Sequence, residues 1–517
     1  MARRLFILFL TIIPLYNVKP APTFYSEAVF FTQDGDYFLH TVEQGQTVYS
    51  ISRMYNVTAD AIYALNPESR EVIKVGTQLK IPQESGSFLF HTIQPKETLY
   101  SVSRKYQMKG EDIMSVNQGL TVETFSIGKV IRIPTNRVTT PMTGTNEESM
   151  QKATNALLQS SKEIEKIGNI RIALLLPFAG NAQIVEYFEG FLLALQDVKK
   201  QGINVSPLIV KEIGKGTDLL PSILNKLPNV DLIIGGFSDE QQIRMIANYC
   251  REKDIHYVIP FTSRNDETMA YQTVYQVNMP QSYMHFRAVT AFCNRYRDTN
   301  IVFHVPSSKQ GNQIDFVRQL QRELKAKNIS YHVLTNDVLS VTDVANLLDA
   351  NKNTVFVPSD DGSDALSKLV TPLRNALNAN PQMQVSLFGY TGWQASGANY
   401  LKDLARLNAT FFSVFYVNTA SPKYKTFHAN FIRWYSKELL TTYPKYGLLG
   451  YDTGMFFINA LNRYGSAFAS HINQFKYSGI QMDFNFERVN NWGGFINNSF
   501  YFVDFLSDGN IVSNPVK

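Results

Sequence analysis

Near its start the chain passes from a short run rich in β-forming residues, Phe38–Val42, to apolar positions at helical spacing, Val48, Ile51 and Tyr55. Thr47 stands where a helix N-cap belongs. Thr58 is placed to cap a second helix carrying Ile62 and Leu65, which Asn66-Pro67 ends, because proline cannot continue a helix. Gly76 makes a turn, Leu79 and Ile81 alternate as a strand, and Pro82 closes it. The same order then recurs. His40–Asn66 aligns without a gap on His91–Asn117, pairing Thr47 with Thr98, Tyr49 with Tyr100, Arg53 with Arg104 and Tyr55 with Tyr106. One residue further out of step, Gly76 meets Gly128 and Ile81-Pro82 meets Ile133-Pro134. The pattern predicts two βααβ modules, at 38–83 and 89–135, each of about 45 residues and near the lower size limit for independent folding.

The pattern His-Thr-Val-x-x-Gly-x-Thr-Val-Tyr-Ser-Ile-Ser-x-x-Tyr, then Asn, then Gly-x-x-Leu-x-Ile-Pro, resembles the LysM family. That resemblance implies binding of N-acetylglucosamine-containing glycan, peptidoglycan above all, in a shallow groove between two loops. Carried onto this chain it points to Gly45, Gln46, Thr47 and Val48 facing Asn66, Pro67 and Ile73 in the first repeat. In the second it points to Lys96, Glu97, Thr98 and Leu99 facing Asn117 and Gln118. Thr47 and Thr98 also fit as helix caps, and Val48 and Leu99 as core residues. Lys96 replaces Gly45, which puts a Cβ and a charge into the second groove. Two linked modules suit a repetitive polymer, since linkage raises effective concentration without new contacts.

Residues 136–168 change character, first Thr-, Asn-, Pro- and Gly-rich, then polar and charged, as a linker of mixed stiffness. From 169 to 517 apolar strand runs alternate with helices: Arg171–Pro177, Asp231–Gly235, Tyr257–Pro260, Asn300–Val305, Thr354–Pro358 and Val385–Phe388. Such runs predict parallel sheets covered on both faces, and roughly 350 residues divide into two α/β lobes. The motif order Leu175-Leu176-Pro177-Phe178, Gly190–Ala194, Ile233–Ser238, Val258–Ser263, Phe388-Gly389-Tyr390 and Gly450-Tyr451-Asp452 resembles the type I periplasmic binding-protein fold, near its leucine-binding branch. The resemblance implies one lobe from about 170–285 and 418–480 and another from about 286–417 and 481–517, with a ligand cleft between them. Ser238, Thr262 and Ser263 match positions that hold a ligand carboxylate in amino-acid-binding relatives, and Tyr390 and Trp393 stand in the facing loop. That loop reads Tyr390-Thr391-Gly392-Trp393-Gln394 and lacks the acidic residue that pairs a ligand ammonium in those relatives, so a sugar or muropeptide, or no ligand, is the alternative.

Arg3-Arg4 followed by an apolar run from Leu5 to Tyr16 reads as a secretory signal within residues 1–28. No cysteine follows it, and no lipid or membrane anchor is expected after cleavage. The net charge of +5 suits an anionic wall, and no basic cluster with interleaved aromatics points to nucleic acid. Cys250 and Cys293 are the two cysteines; pairing and burial as free thiols both stand open. No Gly-x-Ser-x-Gly, Walker loop, Cys-x-x-Cys or His-Glu-x-x-His occurs, so no catalysis, cofactor or metal is expected. The sequence therefore predicts an exported protein of the periplasm or cell envelope of a Gram-negative bacterium. Its two repeats would bind peptidoglycan, and its α/β module would serve as a small-molecule or muropeptide receptor. The alternative is a scaffold for wall-synthesis or division proteins, and a wall hydrolase is the remote one.

Overall fold

The computed structural model of the protein describes residues 37–82, 88–121, 124–135, 164–237, 239–308, 310–396 and 400–516. The expected signal segment, residues 136–163 of the linker, and Ser238 lie outside them. In the first repeat β1 (Tyr37–Thr41) pairs antiparallel with β2 (Gln78–Pro82), and helices Val48–Tyr55 and Ala59–Leu65 lie between. In the second, β3 (Phe88–Thr92) pairs with β4 (Val130–Pro134) around helices Leu99–Lys105 and Gly110–Ser115. The periodic positions Ile51, Ile62 and Leu79 fill the first small core, and Val102, Ile113 and Ile131 the second.

The rest forms two lobes. In the first lobe β5 (Ile170–Leu176), β6 (Val205–Glu212), β7 (Leu232–Gly235), β8 (His256–Ile259) and β9 (Val274–Gln276) run parallel. In the second, β10 (Asn300–His304), β11 (His332–Leu334), β12 (Thr354–Pro358), β13 (Val385–Tyr390) and β14 (Thr410–Ser413) do the same. The chain returns through helices Pro422–Tyr435 and Tyr446–Tyr464 and a small hairpin of β15 (Tyr477–Ser478) and β16 (Asp483–Phe484). Next, β17 (Phe486–Arg488) and β18 (Phe495–Asn497) extend the first sheet, to give the order β17-β18-β9-β8-β7-β5-β6. Last, β19 (Tyr501–Phe505) and β20 (Ile511–Pro515) extend the second antiparallel, to give β11-β10-β12-β13-β14-β19-β20. The chain therefore crosses between lobes after β9, after β14, and between Asn497 and Tyr501. The last crossing is later than the expected 481, because the β17–β18 hairpin stays with the first sheet.

Helix Ala182–Lys200 and helix Tyr446–Tyr464 seal the first lobe at close range. A Cβ on Gly190 would collide with the Gly447 carbonyl oxygen, so only glycine permits this approach. Nearby, the buried Glu186 carboxylate accepts from Leu440 N at 2.5 Å and Gly447 N at 3.0 Å, which anchors the segment between the helices Pro422–Tyr435 and Tyr446–Tyr464. Asp452, fully buried, accepts from Ile480 N (2.8 Å) and Gln481 N (2.9 Å) and fastens the turn after β15; burial raises its carboxyl to about 7. Cys250 and Cys293 are both free and buried, in separate core clusters, which resolves the open pairing in favour of free thiols.

Candidate functional site

In each repeat a side-chain network fixes the two loops that would wall the groove. His40 Nδ1 pairs with the Tyr55 hydroxyl at 2.8 Å and Nε2 with Gln46 Oε1 at 2.7 Å; the same Oε1 accepts from Glu43 N. The second repeat reproduces this with His91, Tyr106 (3.1 Å), Glu97 (2.7 Å) and Gln94 N. Thr47 and Thr98 cap their helices in reciprocal boxes with Ser50 and Ser101. Val48 and Leu99 are buried. Asn66 donates to Ile62 O and Lys80 O and accepts from Lys80 N, each at 2.8 Å, and so ties the second helix to β2. Asn117 does the same with Ile113 O, Arg132 O and Arg132 N. These repeated polar residues spend their side-chain hydrogen bonds on the fold. Pro67, Lys96 and Gln118 stay exposed and Ile73 half-buried, with Leu65, Val72 and Val75 exposed beside the first repeat's second loop.

Burial holds His40 and His91 below the ordinary imidazole range, despite hydrogen bonds to Gln46 and Glu97 that act the other way. A histidine with a lowered folded value binds fewer protons folded than unfolded. Its stabilisation is complete above the unfolded value of roughly 6.5 and is lost as pH falls below it. Histidine NMR titration of the full chain is expected to show both rings titrating below the ordinary imidazole range, and their part of the stability to decline on acidification. A His40 signal titrating above the ordinary range contradicts this.

Neither repeat hangs free. Gly45, at φ +79°, lies against Tyr283 at the start of the helix Gln281–Arg295, which leads out of the first crossing; a Cβ there would sit 2.7 Å from that ring. Arg53 meets the buried Glu267 at 2.6 Å, and the Tyr49 hydroxyl donates to Glu240. The second repeat docks by its other loop, Gly119 N donating to Asn491 O at 2.8 Å, while Asn491 Nδ2 donates to Val130 O at 2.9 Å. Lys96, at φ +69°, takes the same left-handed backbone as Gly45 but stays exposed. Gly45→Lys is therefore expected to undock the first repeat by driving a side chain into Tyr283, with hydrogen exchange rising in the helix Val48–Tyr55; unchanged exchange there contradicts it.

In the α/β module, strand ends meet loops that carry the other sequence-predicted residues. Thr262 is 9% exposed, and its Oγ1 accepts from Arg264 N at 3.0 Å. Ser263 is half-buried, and its carbonyl accepts from Gln281 N at 3.1 Å. Asp239 caps the helix Glu240–Lys253 through Gln242 N at 2.8 Å. Tyr390 is 1% exposed with its hydroxyl on Pro358 O at 2.5 Å, and Trp393 is 0% exposed against Phe411; both sit in core clusters. Sequence reading overlooked a set of rings at the carboxyl ends of β5, β7 and β8, where open α/β sheets place their ligands. Phe261 meets Tyr187 at 4.7 Å, Phe237 at 5.6 Å and Tyr446, stacked, at 6.1 Å; Phe178 meets Phe188 at 5.5 Å. The signal was present, since each of Phe178, Phe237 and Phe261 follows an apolar strand run within three residues. Among the described residues no group of three or more His, Cys, Asp or Glu could hold a metal, and no helix is long and apolar enough to cross a membrane.

Residues 40–82 and 91–134 each match the LysM domain family. A protein of Bacillus subtilis (strain 168) named as a sporulation-specific glycosylase, YdhD, is 30% identical over 97 residues, and the match lies in the LysM region. It covers 19% of this chain, and the chain spans only 22% of that protein's length. A crystal structure from Rhodospirillum rubrum, described as a branched-chain amino acid ABC transporter, superposes with TM-score 0.51 at 12% identity, over 67% of this chain and all of that one. An ABC-type branched-chain amino acid transporter from Rhodopseudomonas palustris CGA009 gives 0.46 at 13% identity, over 67% and 96%. At such identities the likeness is one of fold. The chain thus consists of two LysM domains followed by a module with the type I periplasmic binding-protein fold.

Proposed function

We propose that the protein binds peptidoglycan in the bacterial cell envelope, reached by export, through N-acetylglucosamine-containing glycan held by its LysM domains, and presents the bilobed module as a receptor for a small molecule. The LysM match in both repeats carries this reading. Loop positions left over by the structural network support it. Pro67 and Ile73, beside exposed Val72 and Val75, offer aliphatic cover for sugar faces, and Lys96 and Gln118 offer polar contacts. The half-buried rings Phe178, Phe237 and Phe261 favour a receptor role for the cleft, with a ligand that presents a flat or apolar face. No catalytic step enters this reading; the glycosylase-named relative shares only the LysM region.

The test is co-sedimentation of the full chain with purified sacculi. The parent chain is expected in the pellet, and Ile73→Asp with Gln118→Ala is expected to shift it at least about tenfold toward the supernatant. A parent chain that stays in the supernatant ends the reading. Native mass spectrometry tests the receptor part. A bound mass lost on unfolding supports it, whereas a bare mass with a co-purifying wall-synthesis protein supports the scaffold instead.

A further inference from the structure

A cavity of about 950 Å³ lies where the first LysM domain meets the α/β module, at the upper end of the roughly 300–1,000 Å³ of ligand pockets. Glu43 and Gln44 wall it from the LysM side. Arg287 and Asn294, on the helix Gln281–Arg295, wall it from the other, with Arg488 and Val516 closing the end. A second cavity of about 230 Å³ shares Glu43, Arg488 and Val489 with the first and runs on to Trp492 and the second LysM domain. Together they form one extended groove. Both lobes contribute to its walls, β17–β18 from the first and β19–β20 from the second, and it lies outside the space between the two loops of a LysM domain.

Three arginines, Arg287, Arg295 and Arg488, and two glutamates, Glu43 and Glu487, line it. Arg287 donates to Asn498 O, Asn498 Oδ1 (2.7 Å) and Val516 O, all neutral acceptors. Arg488 donates from Nη1 to Gly493 O at 2.5 Å and stands 4.2 Å over the Phe495 ring. Among the described residues neither guanidinium has a carboxylate within ion-pair distance, whereas the neighbouring Arg295 is met by Asp504 at 2.8 Å. Glu487, also in the wall, accepts from Asn498 Nδ2 at 2.8 Å. Burial pushes Arg287 down, against the raising effect of the nearby Glu487 charge, and Arg488 down to about 10. A partly desolvated guanidinium facing a cavity gains most from a carboxylate that can take its fork of donors.

The position of the groove selects the anion. Glu43 and Gln44 lead directly into Gly45–Val48, one wall of the first LysM groove, so the cavity adjoins that wall along the chain. Peptidoglycan sugars carry short peptides with free carboxylates. We propose that the inter-module cavity binds the anionic stem peptide of a peptidoglycan strand, with Arg287 and Arg488 toward its carboxylates, while the first LysM domain holds the sugar. This rests on the glycan reading above.

Calorimetric titration of the full chain with a disaccharide-tetrapeptide, and with the same disaccharide stripped of peptide, tests it. The peptide-bearing form is expected to bind about tenfold tighter. Arg287→Gln removes that gain by loss of charge. Asn294→Trp, on the exposed face of its helix, removes it by filling the cavity without touching the core, which guards against a folding defect in the first variant. Both leave the stripped disaccharide's affinity unchanged. Equal affinities for the two probes, or a gain that survives Asn294→Trp, overturn the proposal while leaving glycan binding in place. Binding of the peptide form alone, with no affinity for a tetramer of N-acetylglucosamine, sustains the cavity and ends the glycan reading. If no probe binds, both fail.

Discussion

Glu267→Ala is expected to free the first LysM domain from the α/β module and to cost about 3 kcal/mol, the lower end of what breaking a buried ion pair costs. Glu267 opens the 3-10 turn Glu267–Met269 and is 1% exposed. Its two oxygens are divided between domains: Oε2 takes Arg53 of the LysM helix at 2.6 Å, and Oε1 takes Arg244 of the first lobe at 3.0 Å. Arg244 also holds Glu240 at 2.7 Å, which accepts the Tyr49 hydroxyl, so both LysM side chains enter one network. Truncation leaves the Arg53 guanidinium, 18% exposed, without a counter-charge against a low-dielectric wall. Arg244 is 38% exposed and recovers through solvent, which keeps the cost low in the range. Calorimetry of the full chain should show the change, and hydrogen exchange should rise in Val48–Tyr55 but not in the β5–β9 sheet. Arg53→Ala should give the same pattern, and the double variant should add little to either, since the two residues act as a pair. A melting profile and exchange map identical to the parent's would show that the contact holds nothing together.

The same network marks the limit of sequence reading. The repeat was legible because His40/His91, Tyr55/Tyr106 and Asn66/Asn117 recur at one spacing, and the structure gives each pair the same partners. The recurrence also carries a structural role. Gln46 and Glu97, Thr47 and Thr98, and both asparagines stand in loops that resemble a binding site, yet their side chains hold those loops in shape. Apolar strand runs located β7, β8, β10, β12 and β13 to within two residues. β6 escaped because it is an edge strand with mixed exposure and a proline at position 207, so it has no continuous apolar run. Docking escaped altogether, because Arg53 and Glu267 stand 214 positions apart and nothing local announces the pair. Arg104 occupies the matching place in the second repeat, where no such ion pair occurs among the described residues. A local sign of asymmetry is Lys96 in place of Gly45: the glycine persists where Tyr283 presses on the loop, and the lysine stands where the loop is open.

Trp492→Ala is expected to cost about 3–5 kcal/mol and to loosen both LysM domains at once. The indole, 2% exposed, belongs to the first LysM core although it stands in the β17–β18 turn of the α/β module. Tyr55 of the first repeat lies 6.3 Å from it, Phe90 of the second 5.8 Å, and the Arg132 guanidinium, also of the second, 4.7 Å over its face. Asn490 Oδ1 accepts from Trp492 N and Gly493 N and holds the turn that presents the ring. Truncation would join the vacated space to the adjoining cavity of about 230 Å³, so the surroundings have little to collapse onto and the cost stays high. Trp492→Phe should recover much of the loss, because a ring still meets Tyr55, Phe90 and Arg132. The contrast with Glu267→Ala makes the expectation specific. Loss of the carboxylate should raise exchange in the first repeat alone, whereas loss of the indole should raise it in β3 and β4 as well, since Phe90 and Arg132 lie on those strands. If β3 and β4 keep their protection in Trp492→Ala, the second LysM domain is held by its loop contact at Gly119 and Asn491 instead, and the indole serves only the first.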